Sequence, residues 1–177
     1  QNIENIKYIN NEKYISLISN NKKIFEVKYN EKSKIKDIDL NNLKEFDIIL
    51  FGISTWDFGE LQEDWESSWG DIAGVDLTHK TIALFGLGDQ LGYADWFQDA
   101  LGMLHDEIIV KDCDLVGYWP NEGYDFIASK GLTDDKQFFV GLSLDDENQF
   151  EQSHERIKVW CNNLVEHFND ENLIKIP

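Results

Sequence analysis

Short apolar runs alternate along the chain with segments whose apolar residues recur at helical spacing. The runs 46–52 and 81–86 are largely apolar and end in glycine, which predicts strands buried on both faces. Two further apolar runs, 115–119 and 138–144, predict two more strands. Strands that alternate with helices indicate an α/β fold, with a parallel sheet covered by helices on both faces.

Three segments between or after these strands carry apolar residues three and four positions apart. Such spacing places the apolar residues on one face of an amphipathic helix. The predicted helices are 61–72, 94–109 and a last one that Ser153 can cap and that runs to Phe168. The tail after Asn169 is polar, and we expect it to be loose.

Two stretches interrupt this alternation. Residues 120–137 are rich in turn formers, and we interpret them as an inserted loop that splits one edge strand into two parts. Residues 1–45 are atypical, since 2–19 can be drawn either as a helix or as part of a hairpin. We expect a strand at 24–29 preceded by a helix, within a single domain that spans 1–177.

Two loops with the same design follow the first two predicted strands. Each loop carries one large aromatic side chain among glycines and polar residues, Trp56 within 53–62 and Tyr93 within 83–100. Right-handed crossovers bring both loops to the carboxyl edge of the sheet, where ligands bind in open α/β folds. Two rings facing one another would suit a flat tricyclic flavin better than a sugar, a nucleic acid or a peptide.

Charge and cysteine content narrow the classes of partner. The formal net charge of −18 argues against nucleic acid, whose phosphates would be repelled, and favours steering towards basic proteins. Cys113 and Cys161 are far apart and, like the four histidines, show no metal-ligand spacing, so we expect no metal. We also expect neither a transmembrane span nor a signal peptide. The two separated cysteines favour a reduced, cytoplasmic location.

Five ordered motifs together resemble a long-chain flavodoxin. They cover 48–168 and read ISTWDFGELQ, ALFGLGDQLGYAD, VGYWPNEGYDF with SKGL, FVGLSLDDENQ, and ERIKVW. The resemblance implies a flavodoxin-like three-layer sandwich with strand order 2-1-3-4-5, and FMN as the cofactor. It also implies a low-potential carrier that shuttles single electrons between redox partners and is not an enzyme. The partners implied are basic redox proteins such as a ferredoxin–NADP reductase. The resemblance also implies that the protein is a monomer and binds neither nucleic acid nor a membrane.

The same resemblance assigns the cofactor-binding residues. Trp56 and Tyr93 would cover the two faces of the isoalloxazine ring, and the Asp57–Phe58 link would face flavin N5. Asp145 would lie near the ribityl chain or the loop that holds it. The full set implied by the resemblance is Thr55, Trp56, Asp57, Phe58, Gly59, Leu87, Gly88, Asp89, Tyr93, Asp95, Phe97 and Asp145.

Two departures from the family pattern leave alternatives open. The family's T-x-T-G-x-T loop, which follows its first strand and holds the phosphate at a helix N-terminus, does not occur in this sequence. We therefore expect a first strand that is missing or remodelled, an opened sheet and a lost phosphate site, and favour a fragment over a remodelled N-terminus. Trp96 stands where similar sequences often have Asn. The alternatives are a relic or fragment that no longer binds FMN, and an FMN oxidoreductase.

Overall fold

The computed structural model describes residues 5–9, 14–18, 24–26, 35 and 39–173, with side chains at 35 and 39–168. A 3-10 helix at Leu40–Glu45 precedes the central part of the fold. The strands and α-helices follow in the order β1 (Asn5–Ile9), β2 (Tyr14–Ile18), β3 (Ile24–Glu26), β4 (Ile48–Trp56), β5 (Glu60–Leu61), α1 (Glu63–Gly74), β6 (Thr81–Leu87), α2 (Asp99–Ile109), β7 (Asp114–Val116), β8 (Trp119–Pro120), β9 (Phe138–Phe139), β10 (Leu142–Leu144) and α3 (Phe150–Leu173).

The main sheet is built on β4 and β6, which pair in parallel along most of their length. Both β7 and β10 pair in parallel with β6, β7 beside Thr81–Ala83 and β10 beside Phe85–Leu87. Because β4 occupies the other edge of β6, β7 and β10 are two parts of one interrupted strand. The split edge strand predicted from the turn-rich insertion is confirmed by this register.

The position beside β4 is occupied by β3. The two strands are parallel, with Ile24 opposite Ile48 and Glu26 opposite Leu50. Among the described residues the order along the sheet is therefore β3-β4-β6, followed by β7 and β10, and β3 pairs directly with β4 at the place where the expected order has another strand. Our expectation of an opened sheet is wrong, because β3 satisfies the backbone groups along this part of β4.

Alternation along β4 and β6 divides the core into two layers. On one face Phe51 of β4 and Leu84 of β6 pack with α1 and α2. On the opposite face Leu50 and Phe85 pack with β10 and with Trp160 of α3. Side chains two residues apart share a face of a strand, so these continuous apolar runs are buried on both sides. The predicted arrangement, helices on both faces of a largely parallel sheet, is confirmed.

The helix predicted over 2–19 is wrong. Residues of β1 and β2 form an antiparallel pair in which Asn5 lies opposite Ile18 and Ile9 opposite Tyr14. The β-branched and aromatic residues of this stretch favour strands over a helix. The alternative hairpin, with 22–29 as its second strand, is not formed by the described residues either, because β2 pairs with β1 and β3 pairs with β4. The strand predicted over 24–29 is confirmed for 24–26, and its remainder lies outside the described residues.

Several predicted boundaries shift because single residues break the regular backbone. Helix α2 begins at Asp99 rather than 94, because Gln98 adopts a left-handed conformation with φ of 62°. Strand β7 ends at Val116, since the next residue, Gly117, has φ of 79°. Helix α1 runs over Glu63–Gly74 rather than 61–72, because Leu61 pairs with Thr55 as part of β5.

The last predicted strand and helix also differ from the structure. Residues 138–144 divide between β9, which pairs with β8 in a separate antiparallel ribbon, and β10 in the main sheet. Helix α3 begins at Phe150, so Ser153 is not its cap and instead donates its hydroxyl to Asp146 at 2.6 Å. The backbone of α3 continues to Leu173, past the point where we expected a loose tail. No helix among the described residues is long and apolar enough to cross a membrane.

The same substitution in two helices is expected to change stability in opposite directions. A Cβ at Gly70 of α1 would meet no atom within 4 Å, so Gly70→Ala gains about 0.5–1 kcal/mol of helix propensity. A Cβ at Gly102 of α2 would collide with the backbone carbonyl of Lys130, and overpacking of this kind costs about 1–3 kcal/mol. Urea unfolding of both variants measures the difference, and stabilisation by Gly102→Ala would contradict the packing of the insertion on α2.

Candidate functional site

A cleft of about 430 Å³ opens at the carboxyl ends of β4 and β6, between the two aromatic loops. Right-handed crossovers bring the segments that leave adjacent parallel strands to this edge of the sheet. A third segment, which follows β10, closes another side of the cleft. The residues that line the cleft are Ser54, Thr55, Trp56, Asp57, Leu87, Gly88, Asp89, Tyr93, Asp146 and Glu147.

The first loop is fastened to the start of α2. The hydroxyl oxygen of Thr55 accepts a hydrogen bond from the backbone N–H of Ala100 at 3.2 Å. Gly59 has φ of 90°, and a Cβ at this position would lie 2.9 Å from a carboxylate oxygen of Asp99. Asp57 also lies in the left-handed region, with φ of 43°. The loop therefore turns tightly enough to rest on α2 while its aromatic residue stays at the cleft.

The aromatic side chains at the cleft are unusually open to solvent. Trp56 is 46% exposed and Tyr93 is 38% exposed, although rings of this size are generally buried. Phe58 of the first loop, 66% exposed, reaches the second loop, where its ring lies edge-on to Tyr93 at 6.1 Å and to Trp96 at 5.1 Å between centroids. The cleft thus offers apolar ring surface that the protein's own core does not use.

The second loop is stabilised by Asp89. One carboxylate oxygen of Asp89 accepts the N–H groups of Gly92 at 2.7 Å and of Leu91 at 3.2 Å, and the side-chain amide of Asn148 at 2.8 Å. Partial burial raises the pKa of Asp89, but these three donors together outweigh it and hold the pKa below its ordinary value. Asp89 is therefore charged at neutral pH and shapes the turn that leads to Tyr93.

Negative charge dominates the described lining of the cleft. Asp57, Asp89, Asp146 and Glu147 all line it, and its described lining includes no Lys, Arg or His. Carboxylates next to an apolar cleft oppose the arrival of further negative charge, because the Coulomb interaction is stronger at low dielectric than in water. These carboxylates would therefore disfavour the reduction of a ligand in the cleft to a more negatively charged form.

The predicted site residues fall into two groups. Seven of them line the cleft, namely Thr55, Trp56, Asp57, Leu87, Gly88, Asp89 and Tyr93. The other five lie outside the described lining, namely Phe58, Gly59, Asp95, Phe97 and Asp145. Phe97 is 1% exposed and packs in a cluster of rings with Tyr124, Phe126 and Phe139, so it supports the loop from below.

The prediction from the sequence missed three residues that line the cleft. Ser54 precedes Thr55 on β4, and Asp146 and Glu147 follow Asp145 after β10. Asp145 is fully buried, so its two neighbours reach the cleft in its place. Their position at the carboxyl ends of β4 and β10 is the signal that could have found them, since ligands bind at that edge of the sheet.

Comparisons with known proteins agree with this geometry. The flavodoxin family model matches residues 22–160. Flavodoxin 2 of Escherichia coli is 50% identical over 138 residues, covering 76% of this chain and 80% of the relative. A flavodoxin of Picosynechococcus is 47% identical over 130 residues, covering 73% and 75% of the two chains. A Fusobacterium nucleatum flavodoxin, solved bound to flavin mononucleotide, superposes with a TM-score of 0.65 at 25% identity, covering 73% and 74%. The chain belongs to the flavodoxin family, whose members carry electrons rather than act as enzymes.

Proposed function

We propose that this chain holds FMN in the cleft and carries single electrons between redox proteins of the cytoplasm. The observation that carries the proposal is the pair of exposed rings, Trp56 and Tyr93, on the two loops that border one cleft. Flat aromatic ligands are held by stacking and edge contacts with such rings. The relative from Fusobacterium nucleatum, solved with flavin mononucleotide, supports the choice of ligand.

The residues of the cleft fit the ring end of FMN. Ser54 and Thr55 supply hydroxyl groups at the base of the cleft, while Trp56 and Tyr93 supply apolar surface at its sides. Gly88 brings the backbone of the second loop to the cleft, and its missing side chain leaves room for the ring of Phe97 behind the loop. We assign the isoalloxazine ring to this cleft. The acidic lining does not suit a phosphate, so we assign no described residue to that group.

When bound, FMN supplies the redox chemistry, and the protein supplies binding, orientation and electrostatics. Trp56 and Tyr93 would exclude water from the ring faces. Thr55 would hold the first loop against α2 through its bond from Ala100. The carboxylates of the lining would disfavour the negative charge that arrives with the second electron, which lowers the potential of that step.

Stepwise reduction of the FMN-loaded protein tests this function. We expect two resolved one-electron steps, with the potential for the second electron below that of free FMN, because four carboxylates line the cleft. Spectroelectrochemical titration at constant pH and ionic strength measures both potentials. Potentials equal to those of free FMN would contradict the proposed role. Steady-state oxidation of NADH by the protein alone would favour an oxidoreductase.

The proposed partners are basic redox proteins, such as a ferredoxin–NADP reductase. The net charge of −18 creates a field that attracts a basic surface over a distance of several ångströms. The carboxylates at the cleft mouth place part of that charge beside the proposed flavin. Complementary charge of this kind favours rapid encounter more than tight binding, which suits a carrier that must release each partner.

A further inference from the structure

Asp145 is a fully buried carboxylate that accepts hydrogen bonds from three main-chain and two side-chain groups. The main-chain donors are the N–H groups of Gln90, Glu147 and Asn148, at 3.0–3.1 Å. The side-chain donors are the amides of Gln90 at 2.7 Å and Asn148 at 2.9 Å. A buried charge is costly unless it is hydrogen-bonded, so this degree of satisfaction explains how Asp145 is tolerated.

The two oxygens of Asp145 have separate tasks. Oδ1 accepts the N–H groups of Glu147 and Asn148 and so shapes the turn that follows β10. Oδ2 accepts both the main-chain N–H and the side-chain amide of Gln90, which lies 55 residues earlier in the second aromatic loop. The amide of Asn148 reaches both oxygens. One carboxylate therefore joins two segments that border the cleft.

Further hydrogen bonds continue this connection to the aromatic ring. The amide of Asn148 also donates to Asp89 at 2.8 Å, and Asp89 in turn accepts the N–H of Gly92, which immediately precedes Tyr93. On the other side, the side-chain oxygen of Gln90 accepts the N–H of Asp125 in the insertion at 2.6 Å. The loop that carries Tyr93 is thus held at its base by a network centred on Asp145.

We propose that Asp145 is a positioning residue: through Gln90 and Asn148 it fixes the loop 88–93 and thereby holds Tyr93 in place at the cleft. Asp145 does not line the cleft, so it acts on a ligand only through the loop. The effect on the loop stands on the hydrogen bonds of the protein alone. The effect on flavin binding rests on the proposed function.

The asparagine variant is a sharp probe of this role. Whichever way the new amide is oriented, its NH2 group would replace an oxygen that accepts at least two donors. Donors would then face donors in a buried site, and a buried donor left without an acceptor destabilises the segment that carries it. Asp145→Asn keeps the size of the side chain, so the network is broken without a cavity.

Hydrogen exchange on the flavin-free protein tests the positioning role directly. Asp145→Asn is expected to speed exchange of the amides of 90–93 about tenfold or more, whereas amides of β4 exchange as in the wild type. The matched control is Asp71→Asn, which removes the same charge from an exposed position on α1. Gln90→Met, which removes only the side-chain bonds of Gln90, is expected to speed the same amides and serves if Asp145→Asn does not fold. Unchanged exchange in the loop would overturn the proposal.

Flavin affinity provides a second test of the positioning role, with a pattern of losses that a general loss of stability would not produce. We expect Asp145→Asn to weaken FMN and riboflavin binding by the same factor, about tenfold, since the loop contacts the ring and not the phosphate. In a Tyr93→Ala background the same change is expected to have no further effect on affinity. Independent, multiplicative losses would contradict positioning through Tyr93. If the wild type binds neither flavin, the proposed function fails, and the exchange experiment still decides the role of Asp145.

Discussion

Replacing Trp160 with Ala is expected to lower the free energy of unfolding by about 3–5 kcal/mol. Trp160 is 1% exposed, and its ring packs edge-on against Phe85 of β6 with 6.3 Å between centroids. Its indole N–H also donates to the carbonyl of Gly117 at 2.6 Å. Truncation would leave both a cavity between α3 and the sheet and an unpaired carbonyl. The loss is a large part of the 5–15 kcal/mol typical of a folded domain.

Two further variants separate the components of this effect. Trp160→Phe keeps a ring but loses the donor to Gly117, and we expect a smaller cost of about 1–3 kcal/mol. Val159→Ala changes an exposed neighbour on α3 and is expected to stay within about 0.5 kcal/mol of the wild type. Urea unfolding of the flavin-free protein, with the dependence on denaturant compared between variants, measures all three. Equal stabilities for Trp160→Ala and Val159→Ala would contradict the core described between α3 and the sheet.

Replacing Tyr93 with Ala is expected to weaken FMN binding about 10- to 100-fold, since stacking on an aromatic side chain contributes about 1–3 kcal/mol. Tyr93 is 38% exposed, lines the cleft and belongs to neither core cluster, so its truncation is not expected to disturb the core. Tyr93→Phe keeps the ring and is expected to bind nearly as well as the wild type. Quenching of FMN fluorescence during titration measures the dissociation constants.

Tyr118 provides a matched control for this prediction. It is a tyrosine of nearly equal exposure, 39%, but it packs beside His105 and lies outside the described lining of the cleft. Tyr118→Ala is expected to leave FMN affinity unchanged within a factor of about two. Equal losses for the two alanine variants would show that stacking at the cleft is not the source of the effect.

The central sheet could be predicted from the sequence because its strands are buried on both faces. Continuous apolar runs around Leu50 and Leu84 have few structural alternatives, and helical periodicity identified the segments between them. The split edge strand was predictable for a similar reason, since the turn formers of the insertion exclude a regular strand. In these regions local pattern and tertiary packing favour the same structure.

The differences arise where long-range contacts override the local pattern. The helical periodicity of 94–109 does not show that Gln98 turns into a left-handed conformation, where its amide reaches the carbonyls of Gly86 and Leu144 at 3.3 and 3.0 Å. Nor does the sequence show that β3 pairs directly with β4, because register depends on partners distant along the chain. Both features come from pairing that only the folded chain reveals.

In the candidate site, too, some features could be predicted from the local sequence and others depend on long-range contacts. Trp56 and Tyr93 were identifiable because large rings among glycines at strand ends are poorly suited to a core. Asp145 was expected near the ribityl chain or the loop that holds it, yet its burial could not be foreseen, because it is one of three consecutive acidic residues with Asp146 and Glu147. The hydrogen-bond donors that draw Asp145 inwards include Gln90, 55 residues earlier, and no local pattern indicates that contact.

Titration of the purified chain with FMN, followed by quenching of flavin fluorescence, tests the central claim most directly. We predict saturable quenching at one FMN per chain, together with the shifted visible absorption of a flavin stacked between aromatic rings. Weaker quenching by Tyr93→Ala and unchanged quenching by Tyr118→Ala should accompany it. A folded chain that stays colourless and leaves FMN fluorescence unquenched would contradict the account, and would favour a member of the family that no longer binds flavin.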